Sequence, residues 1–230
     1  MKTIGLIGGM SWESTLHYYQ SLNEQVKQRL GGLHSAKIVL YSVDFHDIEQ
    51  LQRTGQWDEA GVRLATAARA LEAAGADVLV LCTNTMHKVA PAIEAAVAIP
   101  FLHIADPTAE AIKHAGLQRI ALLGTRFTME EDFYRGRLEA QHGLQVIVPE
   151  APDREIVHNV IYNELCLGVI RESSRQAHRE IIARLVAKGA QGIILGCTEI
   201  AMLVSPADSP VPVFDTTQLH ALCALDFALA

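Results

Sequence analysis

Two stretches of the sequence end an apolar run in a thiol and small hydroxyl residues: VLVLCTNTMH, Val78 to His87, and GIILGCTEI, Gly192 to Ile200. The longer segment Gly75 to Thr85 lies on Gly189 to Glu199 without a gap, an alignment that sets Thr83 against Cys197. A thiol at the end of a buried strand and at a helix start has backbone N–H groups and a helix dipole beside it. Both lower its pKa from about 8.5 and favour the thiolate. Cys197 is accordingly expected to be the reactive thiol. The competing reading is a free cysteine acting as a small buried hydrophobe. The repeat weakens it, because the matching position in the first half is also polar and also at a strand mouth.

Cys82 is one residue out of register with Cys197. Successive side chains of an extended strand face opposite ways, so Thr83 is expected in the cleft and Cys82 in the core. Cys166, in IYNELCLG, and Cys223, in the last helical stretch, read as packing residues. The four cysteines have no C-x-x-C spacing, which argues against a zinc knuckle or a disulfide framework. No histidines pair at metal-ligand spacing; His87 and His103 are expected to satisfy local hydrogen bonds, and no metal is assigned. GLIGGMS lacks both the G-x-G-x-x-G spacing and the P-loop Lys-Ser/Thr. Gly8 and Gly9 suit instead a close backbone approach to a small carboxylate, with Ser11 capping the following helix. Arg53, in the predicted loop LQRTGQ, is either a bidentate carboxylate grip or a solvated surface arginine.

The elements that must position these residues alternate along the chain. TIGLIGG leads to a helix from Trp12 to Leu30, with Leu16, Tyr19, Leu22, Val26 and Leu30 expected on its apolar face. KIVLYSVDF, a helix over 58–73 and DVLVLCT follow, then FLHIAD and a short helix ending near Gly116. The pattern restarts with RIALLG, a helix over 129–141, LQVIVP, two helical stretches between Asp153 and Lys188, GIILGCT, VPVFD and a last helix. Continuous Val/Ile/Leu runs between helices indicate parallel strands covered on both faces, hence an α/β protein. In such sheets ligands sit at the carboxyl ends of the strands, where this chain places its polar residues. The internal similarity implies two pseudo-symmetric lobes, each a doubly wound parallel sheet, with the site in the cleft between them.

The 230 residues carry 26 acids and 19 bases, interspersed, for a net charge of −7. No basic block is present to neutralise a row of phosphates, so nucleic acid is not expected as a partner. No apolar run approaches the roughly 18 to 20 residues that span a bilayer, and the N-terminus lacks a secretory pattern. The expectation is a cytoplasmic protein with no membrane partner.

On IGLIGGMSWEST, CTNTMHK and LGCTEI taken together, the chain resembles the aspartate/glutamate racemase superfamily, in its aspartate racemase-like branch, over essentially its full length. Glu199 in GCTE is similar to that branch; glutamate racemases usually carry histidine there. The resemblance implies a racemase that needs no pyridoxal phosphate or other cofactor and takes an amino acid, Asp/Glu or a broader range, as its small-molecule substrate. Two thiols face opposite sides of the α-carbon, one removing a proton and the other delivering one. Cys197 matches the second family cysteine, and Thr83 stands where the first would be. A threonine hydroxyl is far less acidic than a thiol, so L-substrates should be favoured, with Cys197 the main acid/base. The same resemblance implies substrate contacts from Asn84, Thr85, Thr198 and Glu199, and from Met10, Ser11, Gln52 and Arg53. Cys166 replaces a lysine found in relatives strict for acidic substrates, which opens a broader side-chain range. The closing helix is implied to return to the first lobe: residues 1–104 with 216–230, against 105–215, although the sequence repeat breaks near 116. A homodimer is implied too. Two alternatives stay open because of Thr83: a single-thiol decarboxylase or isomerase of the same fold, and a non-catalytic small-molecule binding protein.

Overall fold

The computed structural model describes all residues 1–230. The chain divides into two compact units, Met1–Ile104 with His220–Ala230, and Ala105–Leu219. The first contains β1 (Ile4–Gly8), α1 (Trp12–Leu30), β2 (Ile38–Ser42), α2 (Phe45–Thr54), α3 (Trp57–Ala73), β3 (Val78–Leu81), α4 (Ala90–Glu94) and β4 (Phe101–Leu102). The second contains α5 (Ala105–His114), β5 (Arg119–Gly124), α6 (Arg126–Glu130), α7 (Asp132–His142), β6 (Gln145–Ile147), α8 (Ala151–Asn163), α9 (Glu172–Ala187), β7 (Ile193–Gly196), α10 (Ile200–Leu203) and β8 (Val213–Asp215). The last helix, α11 (Thr216–Leu229), starts in the second unit and passes into the first at His220.

Each unit is built on a four-stranded, all-parallel sheet, ordered β2-β1-β3-β4 in the first and β6-β5-β7-β8 in the second. The two orders correspond strand for strand, as the sequence repeat requires. In the first unit the period of two along β1 and β3 sorts their apolar residues onto two faces. Ile7, Leu79 and Leu81 pack with Ile48 and Leu51 of α2 and Leu64, Ala68 and Leu71 of α3. Ile4, Leu6, Val78 and Val80 pack with Tyr18, Leu22 and Val26 of α1 and Ala221, Ala224 and Leu225 of α11. Each large side chain fully buried in this way contributes roughly 1.5–3 kcal/mol, which is why both faces of so short a sheet must be covered.

Three expectations are corrected. The segment carrying Gln52 and Arg53 is not a loop: Asp44 caps α2 through its side chain, and Gly55, left-handed at φ 72°, ends it. The helix expected over 129–141 is two helices, α6 and α7, broken at the extended Glu131. On α1, Leu22 and Val26 are buried as expected, but Leu16, Tyr19 and Leu30 are exposed and Tyr18 takes the core position. No helix is long and apolar enough to cross a membrane.

The segment after α10 is fastened by Asp208, whose side chain is only 2% exposed. Its carboxylate accepts from the Ser205 N–H and hydroxyl, both at 2.8 Å, and from Arg179 Nε at 2.7 Å. Burial pushes the Asp208 pKa up, but the Ser205 and Arg179 donors outweigh it and hold the carboxyl well below the usual range. A depressed carboxylate stabilises the fold above its unfolded pKa of about 3.9, and that contribution is lost as pH falls through the folded value. Asp208→Asn should therefore cost roughly 2 kcal/mol in urea unfolding at neutral pH. The gap to the unaltered chain should close as pH drops below about 4; a gap independent of pH would remove charge from the explanation.

Candidate active site

In the first unit, β1 and β3 are hydrogen-bonded neighbours, with Ile7 opposite Leu81, so their carboxyl ends open side by side. β1 runs into Met10 and Ser11, and β3 into Cys82, Thr83, Asn84 and Thr85. All six are buried. Gly9 sits at φ 92°, and a Cβ there would lie 2.3 Å from the Val43 carbonyl oxygen, so only glycine fits. Its N–H donates to Thr15 Oγ1 at 2.8 Å. Close packing of the loop on its own unit thus accounts for Gly9, whose amide is already engaged within the chain. Ser11 is the N-cap of α1, its hydroxyl accepting from the Ser14 N–H.

Cys82 is fully buried in the core with Leu6, Val80 and Tyr18, and burial pushes its thiol far up. Thr83 lies beyond it, at the mouth. Its carbonyl accepts from His87 Nδ1 at 2.7 Å, while His87 Nε2 accepts from the Ile104 N–H at 3.1 Å. A carbonyl can only accept and a backbone N–H can only donate, so the ring is the neutral Nδ1–H tautomer. It holds the turn that presents Thr83, the local bonding role expected of His87. Gln52 is buried on α2 and donates through Nε2 to Met86 Sδ at 2.9 Å. Arg53, one residue on, projects outward at 65% exposure and faces Glu49 at 3.6 Å, which is the surface-arginine alternative.

In the second unit β7 ends at Gly196, and Cys197, Thr198 and Glu199 follow, all buried. A Cβ at Gly196 would meet Leu122 Cδ1 at 2.5 Å and the Leu123 carbonyl oxygen at 2.9 Å; the missing side chain lets β5 and β7 close up beneath the cysteine. The central contact is between Cys197 and Glu199. The thiol donates to Glu199 Oε2 at 2.8 Å, and the Thr198 hydroxyl donates to the same oxygen at 2.7 Å. Glu199 is therefore bonded to the thiol, which its sequence position as a substrate contact did not suggest.

The expectation of a depressed Cys197 pKa is overturned. Burial, the charge of Glu199, Cys166 and the hydrogen bond to the Glu199 carboxylate all raise it, against one lowering contribution from the Glu199 N–H. The helix following the thiol has only four residues, too few to accumulate a useful dipole. In the free protein Cys197 is a thiol with a carboxylate on its proton. Cys166 also departs from its expected place. It lies in the 3₁₀ turn Leu165–Leu167, partly exposed, and is near enough to act electrostatically on Cys197. The sequence sign was the lysine-to-cysteine departure itself. Cys223 lies in α11, partly exposed.

A buried thiol and carboxylate at one strand mouth, matched by a polar mouth at the same place in a second parallel sheet, is the equipment of a proton-transfer enzyme. The Asp/Glu/hydantoin racemase family matches residues 7–224, and the chain belongs to that family. Among curated proteins, the broad specificity amino-acid racemase RacX of Bacillus subtilis (strain 168) is 23% identical, covering 99% of this chain and 98% of its own. Among solved structures, a Yersinia pestis protein provisionally named an Asp/Glu racemase superposes at TM-score 0.93 with 61% identity over both full chains. An aspartate racemase homologue from Pyrococcus horikoshii OT3 gives 0.86 with 34% identity, again over both full chains.

Proposed function

We propose that this chain is a cofactor-independent racemase interconverting L- and D-amino acids, with Cys197 the main acid/base and L-substrates favoured. The observation that carries the reading is the Cys197–Glu199 hydrogen bond. A thiol whose pKa is raised cannot wait as thiolate, but a carboxylate on its proton lets it ionise when the substrate arrives. Glu199 takes the sulfur's proton; the thiolate then takes the α-proton of the L-isomer. The resulting carbanion is protonated on its other face by the Thr83 hydroxyl, which takes a proton back from solvent as Glu199 releases its own to solvent. Asn84, Thr85 and Thr198 hold the substrate's polar groups, together with Met10, Ser11 and Gln52; Arg53 has the weakest claim because it points outward. By the family resemblance, the protein works in the cytoplasm as a homodimer.

The two directions are unequal because a threonine hydroxyl is a poor base and no general base is bonded to it within the chain. Proton NMR in deuterium oxide, with L- and D-amino acids and no added cofactor, tests this. Loss of the α-proton signal from L-substrates should outpace that from D-substrates, and Thr83→Cys should raise the D-rate by about tenfold or more. Equal rates with both enantiomers in the unaltered chain would overturn the asymmetry. Binding without any α-exchange would favour the binding-protein reading, and release of CO₂ the single-thiol decarboxylase.

A further inference from the structure

β5 holds in the second sheet the place that β1 holds in the first. Beyond β1 come Gly9, Met10 and Ser11; beyond β5 come Thr125, Arg126 and Phe127. The pairing of β5 with β7 ends with Gly124 opposite Gly196. Neighbouring strands lie about 4.8 Å apart, so Thr125 and Cys197 leave the sheet side by side, and Arg126 is the next residue. A second line of contacts starts from Arg126 as well. Its N–H donates to His158 Nδ1 at 3.2 Å, and its guanidinium lies 5.4 Å from the centre of the Phe127 ring. His158 is on α8, its ring centre 4.8 Å from that of Tyr162 one turn further on. The 3₁₀ turn after α8 carries Cys166, which acts electrostatically on Cys197. The row Arg126, His158, Tyr162, Cys166 therefore runs from the end of β5 toward the thiol at the end of β7.

Arg126 is exposed, and no carboxylate of the chain faces it. The arginines around it are all paired: Arg135 with Asp132 at 3.3 Å, Arg137 with Asp106 at 2.6 Å and Arg154 with Glu130 at 2.7 Å. Glu130 stands four residues after Arg126, the spacing at which two side chains of one helix meet, yet Arg154 takes it. The planar fork of donors on Arg126 is thus open to a ligand. Arg53, on α2, is placed differently: it projects outward and faces Glu49. A carboxylate brought over Cys197 also approaches the buried Glu199. Taking a second negative charge out of water there requires a cation to pair with it. Arg126 is the arginine beside this mouth with no acid of its own.

We propose that Arg126 is the residue that reads the substrate's side chain, its guanidinium taking in a bidentate pair the side-chain carboxylate of an acidic amino acid whose α-carbon lies over Cys197. The inference deepens the racemase reading and rests on it for the position of the α-carbon. Phe127 offers the guanidinium a ring face. His158 accepts the Arg126 N–H through Nδ1, so that nitrogen carries no proton. Burial, and after it the charge of Arg126, depress the His158 pKa, which keeps the ring neutral and leaves Arg126 the positive group of the pair. The amide of asparagine or glutamine has the length of the matching acid but one acceptor oxygen and no charge, so it cannot form the same pair.

Calorimetric titration of the purified full chain with L-aspartate, L-glutamate, L-asparagine and L-glutamine tests it, beside α-proton exchange on the same four compounds. Each acid should bind about tenfold or more tightly than its amide, the range of a hydrogen bond to a charged group. Arg126→Gln should weaken the two acids to the level of the amides while the amides keep their affinity. Arg126→Lys, which retains the charge and loses the fork, should fall between. A merely structural role would weaken acids and amides alike, and that result would overturn the proposal. So would an unaltered chain that binds acids and amides equally, or binds none of the four. The two readings fail separately. Acid-selective binding that Arg126→Gln abolishes, without any α-exchange, would uphold Arg126 and sink the racemase. Exchange on acids and amides at equal affinity would keep the racemase and sink Arg126.

Discussion

Cys197→Ala should reduce α-proton exchange on L-amino acids by about a thousandfold or more, the range over which a positioned acid/base acts. Substrate binding should be largely retained, because the neighbouring backbone amides and hydroxyls remain. The protein should also fold: β7 ends before the cysteine, and alanine fits where a thiol already does. Cys197→Ser is the sharper version. Serine preserves the hydrogen bond to Glu199 but replaces the thiol with a much weaker acid, so exchange should be nearly as low as in the alanine variant. If Cys197→Ser kept most of its activity, Cys197 would be a hydrogen-bonding group and another residue would hold the proton. Proton NMR in deuterium oxide reads both variants directly, since every turnover replaces an α-proton by a deuteron.

Glu199→Gln should lower kcat by roughly a hundredfold with little change in KM, because it removes the group that receives the thiol's proton. A Glu199 that merely contacted substrate would raise KM instead. A second readout moves the opposite way. The charge of Glu199 is among the causes that raise the Cys197 pKa, so its removal should bring the thiol down toward its ordinary value. The ultraviolet absorbance of the thiolate, corrected with Cys197→Ala for the other three cysteines, should then appear at lower pH in the slower enzyme. Falling activity together with a more easily ionised thiol separates a proton acceptor from a group that only shapes the pocket. Thiolate appearing at higher pH in Glu199→Gln would contradict the geometry.

The parallel sheets and the strand mouths were legible in the sequence because a buried strand is a run of apolar letters and its end is a change of letter. The gapless repeat added the pairing of Thr83 with Cys197, and the alternation of side chains sent Cys82 to the core, where it lies. Three things were hidden, each for a physical reason. α2 was missed because it is short and mostly polar: of its ten residues it buries only Ile48, Leu51 and Gln52, although Asp44 and Gly55 stood at its two ends as cap signals. The buried face of α1 was misplaced because two stripes of similar apolarity run along it, and periodicity finds a stripe without saying what it meets. The state of Cys197 was misjudged because pKa follows burial and contacts. Glu199 is two residues away in sequence, but only the folded turn brings its oxygen onto the sulfur.

The passage of α11 from one unit into the other bears on how the chain is made. Ala221, Ala224, Leu225 and Ala228 belong to the same core cluster as Ile4 and Leu6 of β1. The Lys2 N–H donates to the Ala228 carbonyl oxygen at 2.8 Å, which ties the segment before β1 to the end of α11. Synthesis proceeds from the amino terminus, and domains generally fold in that order. Here the first unit cannot close its core until α11 has left the ribosome. All residues of the second unit are by then already available. The unit that starts first therefore finishes after the second, and the sheet face that α11 covers stays open while the whole second unit is made, when chaperones have the most to cover.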